Sequence, residues 1–155
     1  MSTRDIQKDG PAKVLLYAHH GWGKTYQCRY FQKRYGKGII ISGEAGLKSV
    51  EDVDIDYLPF SSWNNKHNPE EGVYSFRGIV RMLQSDEFKK AGYKWIAIDS
   101  LTEMSERLVE QLEYEWKEKG KTADFQMWGE YNRLMLGSLK WIRDLPYHVY
   151  VSALA

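Results

Sequence analysis

An α/β fold, with a mostly parallel sheet covered by helices on both faces, is what the sequence predicts, and three observations predict it. Short runs rich in β-branched and aromatic residues (KVLLYA, GIII, KWIAID, YHVYVSAL) alternate with longer stretches of helical periodicity, the pattern of repeated βαβ units. The run KWIAID is almost continuously apolar, as a strand is when both of its faces are covered. Glycine and proline stand at the junctions, at Gly36, Gly38 and Pro146, where they interrupt regular structure.

Taken in order, residues 13–18 read as a buried strand and 24–35 as the helix after it, stopped by Gly36 and Gly38. Residues 39–42 form the second strand and 55–60 a shorter one, leading into SSWNNKHNPEEG, an exposed loop by its Asn, Ser, Pro and Gly content. A modest helix follows over 75–84, then the strand 94–99. Leu101, Met104, Leu108, Leu112 and Trp116 recur at spacings of three or four and so form one apolar stripe of a long helix. EKGKTADF interrupts that pattern, a further helix covers 127–143, and Pro146 introduces a last strand over 147–154. That strand reaches the end of the sequence with no polar tail, as a truncated domain would.

With 155 residues, one domain is expected over 1–155, with residues 1–10 as a polar N-terminal extension. No apolar run approaches the roughly 20 residues of a membrane span, and the first residues lack the apolar stretch of a secretory signal. The single Cys28 can form no internal disulfide, which fits a reducing cytoplasm. Lys and Arg number 22 against 21 Asp and Glu, a net charge of +1, so a polyanion must be met by a local patch rather than by the overall field. The six Trp and eleven Tyr read first as core residues, with a remainder that could stack on bases.

Ala18, His19, His20, Gly21, Trp22, Gly23, Lys24 and Thr25 match a phosphate-binding loop, with alanine in place of the usual first glycine. The segment lies between a strand and a helix, so backbone N–H groups and the helix N-terminus converge on phosphate oxygens. Lys24 would reach the β- and γ-phosphates of ATP and the Thr25 hydroxyl would hold magnesium, with Tyr26 following in the nucleotide site. His19 and His20 occupy variable loop positions without other metal ligands at suitable spacing.

Asp99 ends its strand where a carboxylate faces the ligand edge of a parallel sheet, as a second magnesium ligand. Ser100-Leu101-Thr102-Glu103 is a capping box, which makes Glu103 structural. ATP hydrolysis also needs a carboxylate to activate water. Glu44 follows the second strand on a turn flanked by Gly43 and Gly46 and is the candidate.

At these residues the sequence resembles the RecA-like P-loop ATPases. IIISGEAGLKSVEDVDIDYLPF is similar to the RecA segment in which the catalytic glutamate follows the second strand, and IAIDSLTEM to its Asp-Ser strand end. ADFQMWGEYNRLMLGSLKWIRDLPYHVYVSAL resembles the first DNA loop, helix and following strand. Within that group it is similar to small phage nucleotide-binding proteins, some of which promote single-strand annealing. The resemblance implies Glu44 as the water-activating base, Asp99 on magnesium and residues 120–126 as a DNA-contact loop. It further implies single-stranded DNA as partner, with a single-strand-binding protein beside it, assembly into a homo-oligomer, and the bacterial host cytoplasm as location. RecA carries an Asn-Gln pair as γ-phosphate sensor where this chain has Ser152 and Ala153, leaving Ser152 as a weaker sensor. The resemblance places the second DNA loop and the basic residues that complete a neighbour's ATP site beyond Ala155.

Lys117, Lys119 and Lys121 near Phe125 and Trp128 could supply backbone charge and stacking for that DNA, or simply complement the dipole of a helix end. Two other readings use the same loop. A small-molecule or nucleoside kinase would need an arginine lid and an acceptor-site carboxylate motif, and neither is found. A non-hydrolysing ATP-dependent assembly module needs neither.

Overall fold

The computed structural model describes residues 10–43 and 46–155. In chain order its strands and α-helices are β1 (Lys13–Ala18), α1 (Cys28–Tyr35), β2 (Gly38–Ser42), β3 (Asp56–Pro59), α2 (Phe76–Leu83), α3 (Asp86–Lys90), β4 (Trp95–Asp99), α4 (Leu101–Glu118), α5 (Phe125–Asp144) and β5 (His148–Leu154). The described strands pair in parallel and lie side by side in the order β1-β5-β4-β2-β3.

Alternation along the strands divides the core in two. Ile96 and Ile98 of β4 join Ile39, Ile41, Val149 and Val151 under α2, α4 and α5, while Trp95 and Ala97 join Ile40, Tyr150 and Cys28 on the α1 face. Full burial of an isoleucine contributes about 1.5–3 kcal/mol, so the fully buried Ile96 and Ile98 fix the register firmly. A slip of one residue would turn every side chain over. The same parity therefore places Asp99, Ser42 and Ser152 at the carboxyl end of their strands on the α1 side. Gly38 opens β2 because a Cβ there would stand 1.8 Å from the Trp95 ring, whose Nε1 donates to the Gly36 carbonyl at 2.8 Å.

Three expectations need correction. β1 is an edge strand, paired among the described residues with β5 only, and Leu15 and Tyr17 are 62% and 67% exposed. Its apolar run suggested a buried strand, but sheet position depends on contacts more than a hundred residues away. The helix expected over 24–35 begins as a 3-10 turn, Thr25–Gln27, before α1. The short α3 was not anticipated; Ser85 caps it by accepting from the Phe88 amide at 3.2 Å. Apart from Gly10, the polar extension over 1–10 lies outside the described residues. No described helix is long and apolar enough to cross a membrane.

Candidate functional site

Residues 19–24 carry the chain from β1 into the 3-10 turn. Gly21 and Gly23 have φ of 80° and 72°, a left-handed backbone that residues with a Cβ resist, and the loop needs both. His19, His20 and Trp22 are exposed. Lys24 is not: it is 8% exposed, and its Nζ donates to the carbonyls of Ala18 at 3.1 Å and His19 at 3.0 Å. Among the described residues no carboxylate pairs with this ammonium.

The helical segment that starts here also differs from the others. Ser75, Ser85, Ser100 and Asp124 each cap the helix that follows by accepting a backbone N–H. No side chain caps the Thr25–Gln27 turn or α1. The Gln27 amide donates to the Lys24 carbonyl and the Cys28 amide to that of Thr25, and no side chain caps the start of the turn, where the end of the helix dipole favours a negative ligand.

Asp99 is fully buried at the end of β4. Its Oδ2 accepts from Thr25 Oγ1 at 2.6 Å and its Oδ1 accepts from Ser152 Oγ, while Ser42 stands beside it in register on β2. Burial, and then the Asp99 charge, push the Cys28 thiol well above its ordinary range. Cys28 is therefore a neutral packing residue beneath the loop and not a nucleophile.

Among the expected residues, Ala18, His19, Lys24, Thr25, Asp99 and Ser152 are brought together by these bonds. Gly21 and Gly23 shape the turn. Tyr26 is 39% exposed and lies under the Arg29 guanidinium, 3.9 Å from its ring centroid. Ser152, expected as a sensor, commits its hydroxyl to the Asp99 carboxylate. Glu44 lies outside the described residues. In the 120–126 segment, Asp124 accepts from the Met127 amide at 2.9 Å and from Trp116 Nε1 at 3.0 Å. Lys119 sits 4.8 Å over the Trp116 ring, and Phe125 is 96% exposed.

Sequence reasoning missed Tyr150, whose buried hydroxyl donates to the Lys24 carbonyl at 2.6 Å and ties β5 to the loop. Burial, then the neighbouring Cys28 and Asp99, raise the phenol's pKa, so it remains a donor. Its position two residues before Ser152 gives it the right face, but nothing in the sequence signals the reach across to Lys24. Tyr150→Phe leaves that buried carbonyl without its donor, and we expect a stability loss of about 1–3 kcal/mol together with weaker ATP binding, read by thermal melts and calorimetry.

A cavity of about 820 Å³ lies beside this site under residues 47–55 and includes Ser42 but no loop residue. Comparison with curated proteins and with solved structures finds no match. A family model described as an AAA domain matches residues 10–155, nearly the whole chain and all of the geometry above. The chain belongs to this AAA domain family and is a P-loop nucleotide-binding ATPase domain.

Proposed function

We propose that the protein is a magnesium-dependent, RecA-like ATPase that acts on single-stranded DNA in phage recombination or annealing. The observation that carries the nucleotide site is the buried Lys24 ammonium at the start of an uncapped helix. Carbonyls are its partners, and a phosphate would satisfy the cation and lie at the positive end of the helix dipole. ATP fits this arrangement. Thr25 Oγ1 and Asp99 Oδ2, 2.6 Å apart, are the oxygens that would hold magnesium, which supplies charge neutralisation at the phosphate oxygens when bound. Ser152 orients Asp99 by holding its other oxygen, and Tyr150 holds the loop. Glu44, two residues beyond Ser42, activates the water.

DNA is favoured by the exposed aromatics Phe125 and Trp128, 96% and 46% accessible, close in sequence to Lys117 and Lys121, since single-strand binders combine stacking with backbone charge. The reading includes assembly into a homo-oligomer, a single-strand-binding protein as partner, and action in the host cytoplasm.

Fluorescence anisotropy with a labelled oligothymidylate, and ATP turnover with and without it, test the proposal. Tighter DNA binding with a non-hydrolysable ATP analogue and faster turnover with DNA are expected. ATP binding with no DNA binding at low salt would defeat the DNA part and leave the nucleotide site standing.

A further inference from the structure

The Lys24 site lies on the α1 face of the sheet; a second cluster of cations lies on the opposite face. Arg77 and Arg81 stand one helical turn apart on the exposed side of α2, and Arg133 lines the same cleft from α5. The cleft has a volume of about 460 Å³, with Val80 and the half-buried Trp141 among its apolar lining and no acidic residue in it.

The partners of the other described arginines set Arg77 and Arg81 apart. Arg29 pairs with Asp52, Arg107 with Glu103 and Glu110, Arg133 with Glu130 and Arg143 with Asp144, while Arg34 lies over the Tyr35 ring. Among the described residues, Arg77 and Arg81 have neither a carboxylate nor an aromatic partner. Like charges four residues apart on a helix repel each other, and Arg133 adds a third cation that only Glu130 offsets, at 2.6 Å on the surface. In a chain with a net charge of +1, Arg77 and Arg81 are two guanidinium groups without a carboxylate partner among the described residues, beside a third that Glu130 pairs.

We infer that the α2–α5 cleft binds the sugar-phosphate backbone of single-stranded DNA, with Arg77, Arg81 and Arg133 on phosphates and Trp141 offering its indole to a base; the inference rests on the single-stranded DNA reading above. Guanidinium groups are planar, weakly hydrated and matched to phosphate oxygens in pairs. An inorganic anion would use the arginines and leave the apolar lining idle. An acidic peptide would likewise leave the indole without a stacking partner, whereas every base presents a π-face. The cleft shares no residue with the phosphate loop, so the two can be disabled separately.

The test is anisotropy of a fluorescein-labelled oligothymidylate across a salt series, on the wild type, R77A/R81A and G137E. Gly137 lines the cleft, and a Cβ built on it meets nothing within 4 Å. The Cβ of a glutamate there meets no neighbour, and its carboxylate is brought to the lining that holds the arginines. Both variants should bind ATP as the wild type does, which reports an intact fold, and should bind the oligonucleotide at least about 10-fold more weakly. For R77A/R81A the slope of log affinity against log salt should become shallower by about 1.4, two phosphate contacts at about 0.7 each. A wild type that binds no oligonucleotide in any nucleotide state defeats the DNA reading and this site with it. A wild type that binds, with both variants unchanged in affinity and slope, defeats the cleft alone. Polyglutamate at equal charge displacing the label as well as unlabelled oligonucleotide does would assign the cleft to acidic polypeptides instead.

Discussion

Glu44→Gln is expected to bind ATP as tightly as the wild type and to hydrolyse it on the order of 10²–10⁴-fold more slowly in single turnover, the range of a general base's contribution. Glutamine keeps the size and hydrogen-bonding capacity of the side chain and removes its basic oxygen. Glu44 itself lies outside the described residues, but the chain leading to it is tightly defined. Ser42 is in register with Asp99, and the Gly43 amide donates to the Asp99 carbonyl at 2.8 Å. A Cβ on Gly43 would lie 2.7 Å from both Glu103 Cβ and the Phe60 ring, so the exit from β2 is pressed against the start of α4.

That closeness makes Glu103 the decisive control. Its amide donates to Ser100 Oγ at 3.3 Å, and its carboxylate accepts from Arg107 at 3.3 Å, the part of a helix-start residue. Glutamine is also suited to that position, so Glu103→Gln should leave turnover near the wild-type level and cost less than about 1 kcal/mol of stability. Loss of hydrolysis in Glu103→Gln with activity kept in Glu44→Gln would move the base to the β4–α4 junction.

Lys24→Ala should weaken ATP binding roughly 10- to 150-fold, the effect of losing a charge-assisted hydrogen bond of about 1.5–3 kcal/mol. The ammonium also bridges the carbonyls of Ala18 and His19, so its removal loosens the loop as well as deleting a phosphate contact. Calorimetry on a variant with an unchanged melting profile separates the two effects. Unchanged affinity would remove the phosphate-loop assignment.

What the sequence made legible was local. The loop motif needs only eight consecutive residues, and the alternation in WIAID already determines that Asp99 shares a face with Trp95 and Ala97. The start of α4 after Ser100 was readable because a serine cap acts within three residues, whereas Ser75, read as part of α2, proves to be its cap. What escaped depends on contacts distant in sequence. KVLLYA has the composition of a central strand, yet the pairing order leaves β1 at an edge. Tyr150 meets Lys24 across 126 residues. The arginines of α2 and α5 look like ordinary exposed cations until the helices pack and bring them to one cleft. Ser152 was identified at the right edge of the sheet, but its partner is the Asp99 carboxylate.

The placement of β1 also bears on how firmly the nucleotide loop is anchored. β1 exchanges ladder hydrogen bonds with β5 alone among the described strands. It is fastened at its base by Lys13 Nζ, which donates to the Leu145 and Tyr147 carbonyls, and at its top by Tyr150 through Lys24. Regions with few neighbours open at less than the global unfolding free energy. β1 and the phosphate loop are therefore expected to open before β2, β4 and β5 do, which amide hydrogen exchange would read. A ligand that binds only the closed form stabilises it in proportion to the logarithm of its concentration. Nucleotide occupancy then acts as a mortar for this edge of the sheet, and the firmness of the loop becomes a readout of the nucleotide supply around it.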